Sequence, residues 1–245
     1  MKKLSRYGME RLKSLSDQLV NYGEFPEPEL LHRIRLDVKK IKAILNVTEF
    51  CVKGFDAHKL YLPFRTIFRR AGEIRQADVL NELSQIHNIK SQHVRDVKAL
   101  LVNQKLVPTF QNDLPKFLYS LQKKRAKLKD FFKEVKHSSF KEYLSLKNDD
   151  LRKQLYPKLN QRVLHKARKI VKEILYLSAI TKKSKQRLDP FYDKLQELIG
   201  QGHDKQNVMA LMNTDKNSRE LKQLKGECRI DIKNIKVLIK QFYIK

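Results

Sequence analysis

Apolar residues recur at intervals of three and four positions along most of this chain, with polar and charged residues between them. This spacing places the apolar side chains on one face of an α-helix. No stretch alternates apolar and polar residues as a β-strand does, and no Asn-Gly or Asp-Gly hairpin turn is present. We therefore predict an all-α protein. The two clearest apolar series are Leu31, Ile34, Val38, Ile41 and Leu45, and Leu221, Leu224, Cys228, Ile232, Ile235 and Ile239.

Short segments with glycine or proline separate the predicted helices. The sequence NSRE at 217–220 also predicts a helix start, with Asn217 as the N-cap and Glu220 three residues later. The predicted breaks are GEFPEPE at 23–29, GFDAH at 54–58, VPTFQNDLP at 107–115, the region of Pro157, LDP at 188–190 and GQGHD at 200–204.

The chain also resembles itself. The segment LLHRIRLDVKKIKAIL at 30–45 matches VLHKARKIVKEILYLS at 163–178, and RRAGEIRQADVLNEL at 69–83 matches ELIGQGHDKQNVMAL at 197–211 more loosely. The matched segments keep their order along the chain. We predict a single domain over 1–245, made of two tandem four-helix bundles at 1–136 and 137–245 that are related by pseudo-twofold symmetry.

Positive charge greatly exceeds negative charge: 53 Lys and Arg face 27 Asp and Glu, a formal net charge of +26. Such a surplus indicates a polyanionic partner, which could be nucleic acid, an anionic membrane or an inorganic phosphate polymer. We expect no membrane association, because no apolar run is long enough to span a bilayer and the bundles need the apolar faces for burial. The N-terminal segment lacks the apolar core of a secretory signal.

The two cysteines, Cys51 and Cys228, are far apart in the sequence. Such sparse use is typical of buried thiols in a reducing compartment. We therefore predict a cytoplasmic protein.

Rows of cationic or protonatable residues follow the apolar rows by one position in both matched helices. Like charges three or four positions apart repel each other by roughly 0.2–0.5 kcal/mol per pair. Acidic residues that could offset this repulsion are scarce in these helices, so we expect an external anion to neutralise the positive charges. The first row is His32, Arg35, Lys39 and Lys42, and the second is His165, Arg168 and Lys172.

A third row follows the same phase along the C-terminal helix, and a weaker one accompanies Phe64 and Phe68 through Arg65 and Arg69. Lysine and arginine beside a core stripe commonly cover apolar surface with their stems while their charges stay in water. Whether the C-terminal row lines a binding site is therefore left open. This row is Lys222, Lys225, Arg229, Lys233, Lys236 and Lys240.

The motifs LHRIRLDVKKIK and AGEIRQADVL, repeated as LHKARKIVKEI and IGQGHDKQNVM, resemble the CHAD family, the conserved histidine α-helical domain. Its first motif pairs a histidine with an arginine three positions later and adds basic residues one turn beyond. Its second motif usually reads Gly, two residues, then Arg-Asp. Here Gly72 and Arg75 are followed by Gln76, and Gly200 precedes His203-Asp204.

This resemblance implies that inorganic polyphosphate binds in a basic central groove, without catalysis by the domain itself. We also expect no cofactor and no metal. Arg and Lys suit such a chain, because Arg offers a bidentate donor and Lys a point charge. Trp is absent, and few aromatic residues interleave with the basic rows, as binding of single-stranded nucleic acid would favour. The predicted ligands are His32, Arg35, Lys39, Lys40, Lys42, Arg65, Arg69, Arg75, His165, Arg168, Lys169 and Lys172.

Two alternative functions remain open at this point. A nucleic-acid-binding protein fits the charge, although no zinc-finger spacing or RNA-binding strand motif is present. A metal-dependent phosphohydrolase is the second, since His203-Asp204 is similar to the His-Asp pair of helical enzymes of that class, which need further ligands from other helices. The length of the polyphosphate chain and the oligomeric state are open, and polyphosphate granules are a candidate location within the cytoplasm.

Overall fold

The computed structural model describes residues 1–86, 105–156, 159–181, 190–211 and 219–243. Within these ranges every regular element is an α-helix, so the predicted all-α class is confirmed. The helices are α1 (Lys2–Glu24), α2 (Pro28–Cys51), α3 (Ala57–Ile86), α4 (Leu106–Glu134), α5 (His137–Leu155), α6 (Gln161–Thr181), α7 (Pro190–Leu211) and α8 (Arg219–Tyr243).

Local sequence explains the turns on either side of α2. Pro28 is the first residue of the helix, where its missing N–H leaves no hydrogen bond unmade, and Glu27 before it is extended. Gly54 has a φ of 78° between α2 and α3, a conformation that glycine adopts without steric cost. The predicted breaks at 23–29 and 54–58 therefore lie near the real helix ends.

Two other predicted breaks are wrong, because helices run through them. The segment 107–115 lies inside α4: Pro108 occupies the first turn, whose N–H groups have no partner within the helix. The segment 200–204 lies inside α7, and its glycines are helical. Pro157, the segment 188–189 and the predicted cap Asn217 lie outside the described residues.

The chain divides into two compact units, of which the first comprises the described residues of Met1–Glu82 and Gln92–Tyr143. In this unit α1 packs against both α2 and α4. The rings of Tyr22 and Phe110 meet edge to face at 5.4 Å where α1 ends and α4 begins. The largest side chains buried here are Tyr22, Phe64, Phe110, Phe132 and Phe140.

A buried carboxylate joins α1 to α2. Asp37 is only 2% exposed and accepts hydrogen bonds from Arg11 at 3.2 Å and Gln18 at 3.0 Å. Lys40, one turn further along α2, lies 3.8 Å from the same carboxylate. Buried charges need such partners, so this network fixes the packing of α1 on α2.

The second unit comprises the described residues of Leu83–Ser91 and Leu144–Lys245. Here α7 packs against α6 and α8. The rings of Phe191 and Phe242 stack at 3.8 Å and tie the start of α7 to the end of α8. The apolar core of the unit includes Leu151, Leu155, Ala167, Val171, Ile174, Leu195, Ile199 and Ile235.

The division between the units falls inside α5, at Tyr143 and Leu144. The sequence prediction placed the repeat boundary at 136–137, just before this helix. The repeat boundaries and the pseudo-twofold relation stay predictions.

In the ranges described, none of the helices has both the length and the apolar character that crossing a membrane requires. Cys51 and Cys228 are free thiols that are partly exposed. The expectation that both are buried is therefore wrong: Cys51 is the last residue of α2, and Cys228 lines a cavity in the second unit.

Candidate functional site

Arg35 is the centre of a basic cluster that α2 and α3 form in the first unit. Its guanidinium donates a hydrogen bond from Nη1 to the backbone carbonyl of Phe68 at 2.9 Å and lies 4.2 Å from the centroid of the Phe68 ring. A Cβ added to Gly72, one turn further along α3, would overlap the same guanidinium. Arg35 is therefore held in one position by a ring, a carbonyl and a glycine.

Two lysines of α2 extend this cluster along the same face of the helix. Lys39 Nζ lies 5.6 Å from the ring centroid of Phe68, and Lys42 Nζ lies 5.0 Å from that of Tyr61. Cation–π contacts at such distances contribute about 0.5–1 kcal/mol at exposed sites. The aromatic rings of α3 thus position the cations of α2.

Burial and neighbouring charges both shift pKa values in the cluster. Burial lowers the pKa of Arg35, an effect that Tyr61 opposes and the positive charge of Arg75 reinforces. Burial also raises the pKa of Tyr61, against the influence of Arg65 and Arg35. Arg35 remains a cation at neutral pH, because an ordinary arginine pKa lies far above 7.

The other predicted ligands of the first unit differ in placement. His32, Arg65 and Arg69 are exposed, and Arg75 is half-buried with its Nη1 3.9 Å from Asp78. The structure does not bring Lys40 to the cluster, since its contact is with Asp37 on the α1 side of α2.

The second unit repeats the central contact between arginine and glycine. Arg168 of α6 lies against Gly200 of α7, where an added Cβ would come 3.2 Å from its Nη2. The Nε of Arg168 is buried and makes no hydrogen bond within the described structure. Arg168 therefore has an unused donor, since arginine carries five N–H groups.

A cavity of about 390 Å³ opens beside Arg168. The rings of His165 and His203 lie on its wall, with their centroids 6.3 Å apart and an angle of 25° between their planes. Cys228 and Asp231 of α8 also line it. The cavity thus joins two imidazoles and a guanidinium with apolar walls from α7 and α8.

The pKa values of two groups near Arg168 are lowered. Burial lowers the pKa of His165, and Lys169, His203 and Arg168 lower it further. Burial also lowers the pKa of Lys172. The positive charge of Arg168 lowers this pKa further, and the negative charge of Asp204 raises it. A bound anion would reverse these effects, because it stabilises the cationic form of each group.

The other basic residues that the sequence singled out in this unit face solvent. Lys169 is exposed, as are all six members of the C-terminal row on α8. Asp231 accepts a hydrogen bond from Lys205 at 2.8 Å, and Glu227 lies 3.4 Å from the same lysine. Burial lowers the pKa of Lys205, but the two carboxylates raise it by more, so its pKa lies above the ordinary value.

Sequence reasoning missed two parts of this site. The sequence places Phe64 and Phe68 in one apolar row, but only Phe64 is fully buried, while Phe68 lies half-buried under Arg35. The signal was present, because Phe68 lies four residues before Gly72 and therefore shares its helix face. The cavity beside His203 had no such signal, since three helices form it.

Metal-ligating side chains do not assemble within the described ranges: there, no three His, Cys, Asp or Glu residues come together as a metal site would require. His203 contacts Asn207 at 3.2 Å and lies 3.8 Å from the Asp204 carboxylate.

Comparison with solved structures shows the fold. The chain matches the CHAD domain of the plant Ricinus communis with a TM-score of 0.67 over 97% of this chain and 90% of that one, at 15% sequence identity. This chain has a CHAD-like fold. PptA from Streptomyces chartreusis has a TM-score of 0.60 over 100% of this chain and 99% of that one, at 11% identity. No family model and no curated protein matches the sequence. The CHAD-like fold confirms the resemblance that the histidine and glycine motifs indicated.

Proposed function

We propose that this protein binds inorganic polyphosphate through two basic clusters, one in each unit, and does not hydrolyse it. The observation that carries the proposal is the repeated placement of a motif arginine against a helical glycine, Arg35 on Gly72 and Arg168 on Gly200. In both units this arginine lies among further cations, and a chain of phosphates can contact several of them together.

The hydrogen bond that Arg35 donates to Phe68 uses only one side of its guanidinium. The contact with the Phe68 carbonyl uses Nη1, and arginine has further N–H groups that can donate to phosphate oxygens. In the second unit, the buried Nε of Arg168 lacks an acceptor altogether. Ordered donors with spare capacity are the chemistry that a phosphate chain requires.

The positions of the aromatic residues favour a phosphate polymer over single-stranded nucleic acid as the ligand. Phe68 and Tyr61 lie under Arg35 and Lys42, so their ring faces are already in contact with cations. A protein that binds single-stranded nucleic acid needs open ring faces on which bases stack. Nucleic acid is therefore the second candidate ligand, favoured by net charge alone.

Competition between polyanions tests the choice of ligand. Fluorescent polyphosphate is bound to the protein and displaced by duplex DNA or transfer RNA at equal phosphate concentration and fixed salt, because salt weakens every such complex. We expect unlabelled polyphosphate to displace the probe at about one tenth of the nucleic-acid concentration or less. Equal displacement by nucleic acid would contradict specificity for polyphosphate.

The absence of catalysis is a separate part of the proposal. A phosphohydrolase would use His203 and Asp204, and on α7 Asp204 is exposed while His203 is only partly exposed. Incubation of the protein with polyphosphate and Mg²⁺ or Mn²⁺ should release no phosphate above background. Steady turnover that His203→Gln abolishes would show an enzyme instead.

The sequence also predicted that the basic rows of both halves meet in one shared groove. That shared groove stays a prediction.

A further inference from the structure

A second basic surface lies in the first unit, between α1 and α4. It is a groove of about 880 Å³ that shares no residue with the cluster around Arg35. We call it the α1–α4 groove. Its cationic members, all exposed, are Lys2, Arg6, Lys13, Arg125, Lys129 and Lys133.

The two helices that form the groove run antiparallel. Near one end, Ser5 Oγ donates to the carbonyl of Lys129 at 3.3 Å, and near the other Gln111 donates to the carbonyl of Gly23 at 3.2 Å. This register brings Arg6 level with Lys129. Each wall of the groove therefore carries cations at helical intervals.

Acidic side chains do little to neutralise these walls. Glu10 is the single carboxylate among the described lining residues, and it lies 3.9 Å from Arg6. Lys133 lies 3.3 Å from Asp130. Both ion pairs are solvent-exposed, and such pairs contribute at most about 1 kcal/mol. The groove keeps a strong positive field.

The floor of the groove is apolar. Met9 of α1 and Ala126 of α4 lie between the two walls, together with the aliphatic stems of the lysines and arginines. A phosphate polymer has no apolar surface to place against such a floor. A peptide has one, and the small side chain of Ala126 leaves room for a larger apolar residue from it.

We propose that the α1–α4 groove docks an acidic amphipathic helix of a partner protein. A helix laid along two antiparallel helices places its apolar stripe on the floor and its flanking carboxylates against both walls. Positions 125, 129 and 133 of α4 are four residues apart, about 6 Å, which is close to the spacing of carboxylates one turn apart on the docked helix. This inference does not depend on the proposed polyphosphate site.

A synthetic peptide tests the proposal on the full chain. The probe is a fluorescein-labelled helical peptide with a leucine stripe flanked by glutamates one turn apart, and its binding is followed by fluorescence anisotropy. The control probe is a scrambled peptide of the same composition. We expect the helical peptide to bind at least about tenfold more tightly than the scrambled one. Equal affinities would overturn the proposal, because composition alone would then explain binding.

Matched variants locate the peptide. Arg6→Glu with Lys129→Glu reverses one facing pair, and both side chains are exposed, so the fold should be retained. The control is Lys116→Glu with Lys123→Glu, two exposed lysines of α4 that do not line the groove. We expect peptide affinity to fall about tenfold or more in the first variant and by less than about twofold in the control. Equal losses in both would overturn the proposal.

A substitution without any charge change separates this groove from the polyphosphate site. Ala126→Phe fills the floor, and residue 126 is exposed, so the larger side chain can be accommodated. It should weaken peptide binding about fivefold or more and leave polyphosphate affinity unchanged. Loss of polyphosphate binding with retention of peptide binding would show that the groove holds the polymer and would refute the proposal.

Discussion

Arg35 and Gly72 are fitted to each other: the guanidinium occupies the space that any Cβ at position 72 would need. Glycine inside a helix costs roughly 0.5–1 kcal/mol relative to alanine. In the second unit Arg168 lies against Gly200 in a similar but less close contact, 3.2 Å from an added Cβ. In both halves an arginine lies beside a glycine that weakens its helix, and in the first unit the Phe68 carbonyl and ring also hold that arginine in place.

Gly72→Ala should separate binding from stability. The overlapping atom belongs to the flexible end of the Arg35 side chain, so the arginine can move away; it then loses its contacts with Phe68, and the higher helix propensity of alanine offsets part of that loss. We expect the free energy of unfolding to change by less than about 1 kcal/mol, while polyphosphate affinity falls about fivefold or more. Urea denaturation and fluorescence titration measure the two effects.

Gly200→Ala is the matched comparison in the second unit. An alanine Cβ would come 3.2 Å from Arg168, a close contact that a small shift relieves. Polyphosphate affinity should therefore fall less than in Gly72→Ala. A larger loss from Gly200→Ala would show that the two arginines are held differently from what their contacts indicate.

Polyphosphate binding should become tighter as the pH falls below 7. The pKa of His165 lies below its ordinary value of about 6.5, so the imidazole is neutral at pH 7 and becomes a cation as the solution is acidified through that lower pKa. The added charge lies near Arg168 and attracts the polymer. Affinities measured from about pH 7.5 to about pH 5 check this prediction.

His165→Gln should remove part of this pH dependence. His58→Gln is the control, because His58 is an exposed residue of α3 outside the candidate ligands. An identical pH profile in the wild-type protein and in His165→Gln would contradict a role for this imidazole in binding.

Asp37→Asn should destabilise the first unit without altering the site chemistry. The carboxylate is buried and accepts hydrogen bonds from Arg11 and Gln18, and the amide would retain only part of this network. Loss of a buried hydrogen-bonded charge costs about 1–3 kcal/mol. Thermal denaturation should show a Tm lower by about 2–4 °C per kcal/mol. Folded protein well below that Tm should bind polyphosphate as the wild type does.

The helical class followed from apolar periodicity alone, since spacings of three and four persist over whole helices. Breaks between helices were harder to predict, because glycine occurs both in turns and inside helices. Gly54 supplies a left-handed turn, while Gly200 lies inside a helix to make room for Arg168, and a single sequence does not distinguish them. The same reason explains why 200–204 looked like a loop.

The basic rows were predicted by position, but their partners were not. Arg35 and Lys39 share a helix face by spacing, whereas the contact of Arg35 with Phe68 depends on how α3 packs against α2. Lys40 shows the opposite outcome: it is adjacent to Lys39 in sequence, yet its contact is with Asp37 on another side of the helix. The periodicity of the sequence predicts which face of a helix a residue lies on, whereas the packing of the helices determines which residues it contacts.

Simultaneous removal of the two motif arginines tests the central claim most directly. The variant Arg35→Ala with Arg168→Ala is compared with Lys233→Ala and Lys236→Ala, which removes two exposed charges from the C-terminal row. Circular dichroism should show unchanged helicity in both, and titration with polyphosphate at fixed salt measures binding. The account predicts that polyphosphate affinity falls at least about tenfold in the arginine variant and changes by less than about twofold in the lysine variant. Unchanged affinity in the arginine variant, or an equal loss in both, would contradict it.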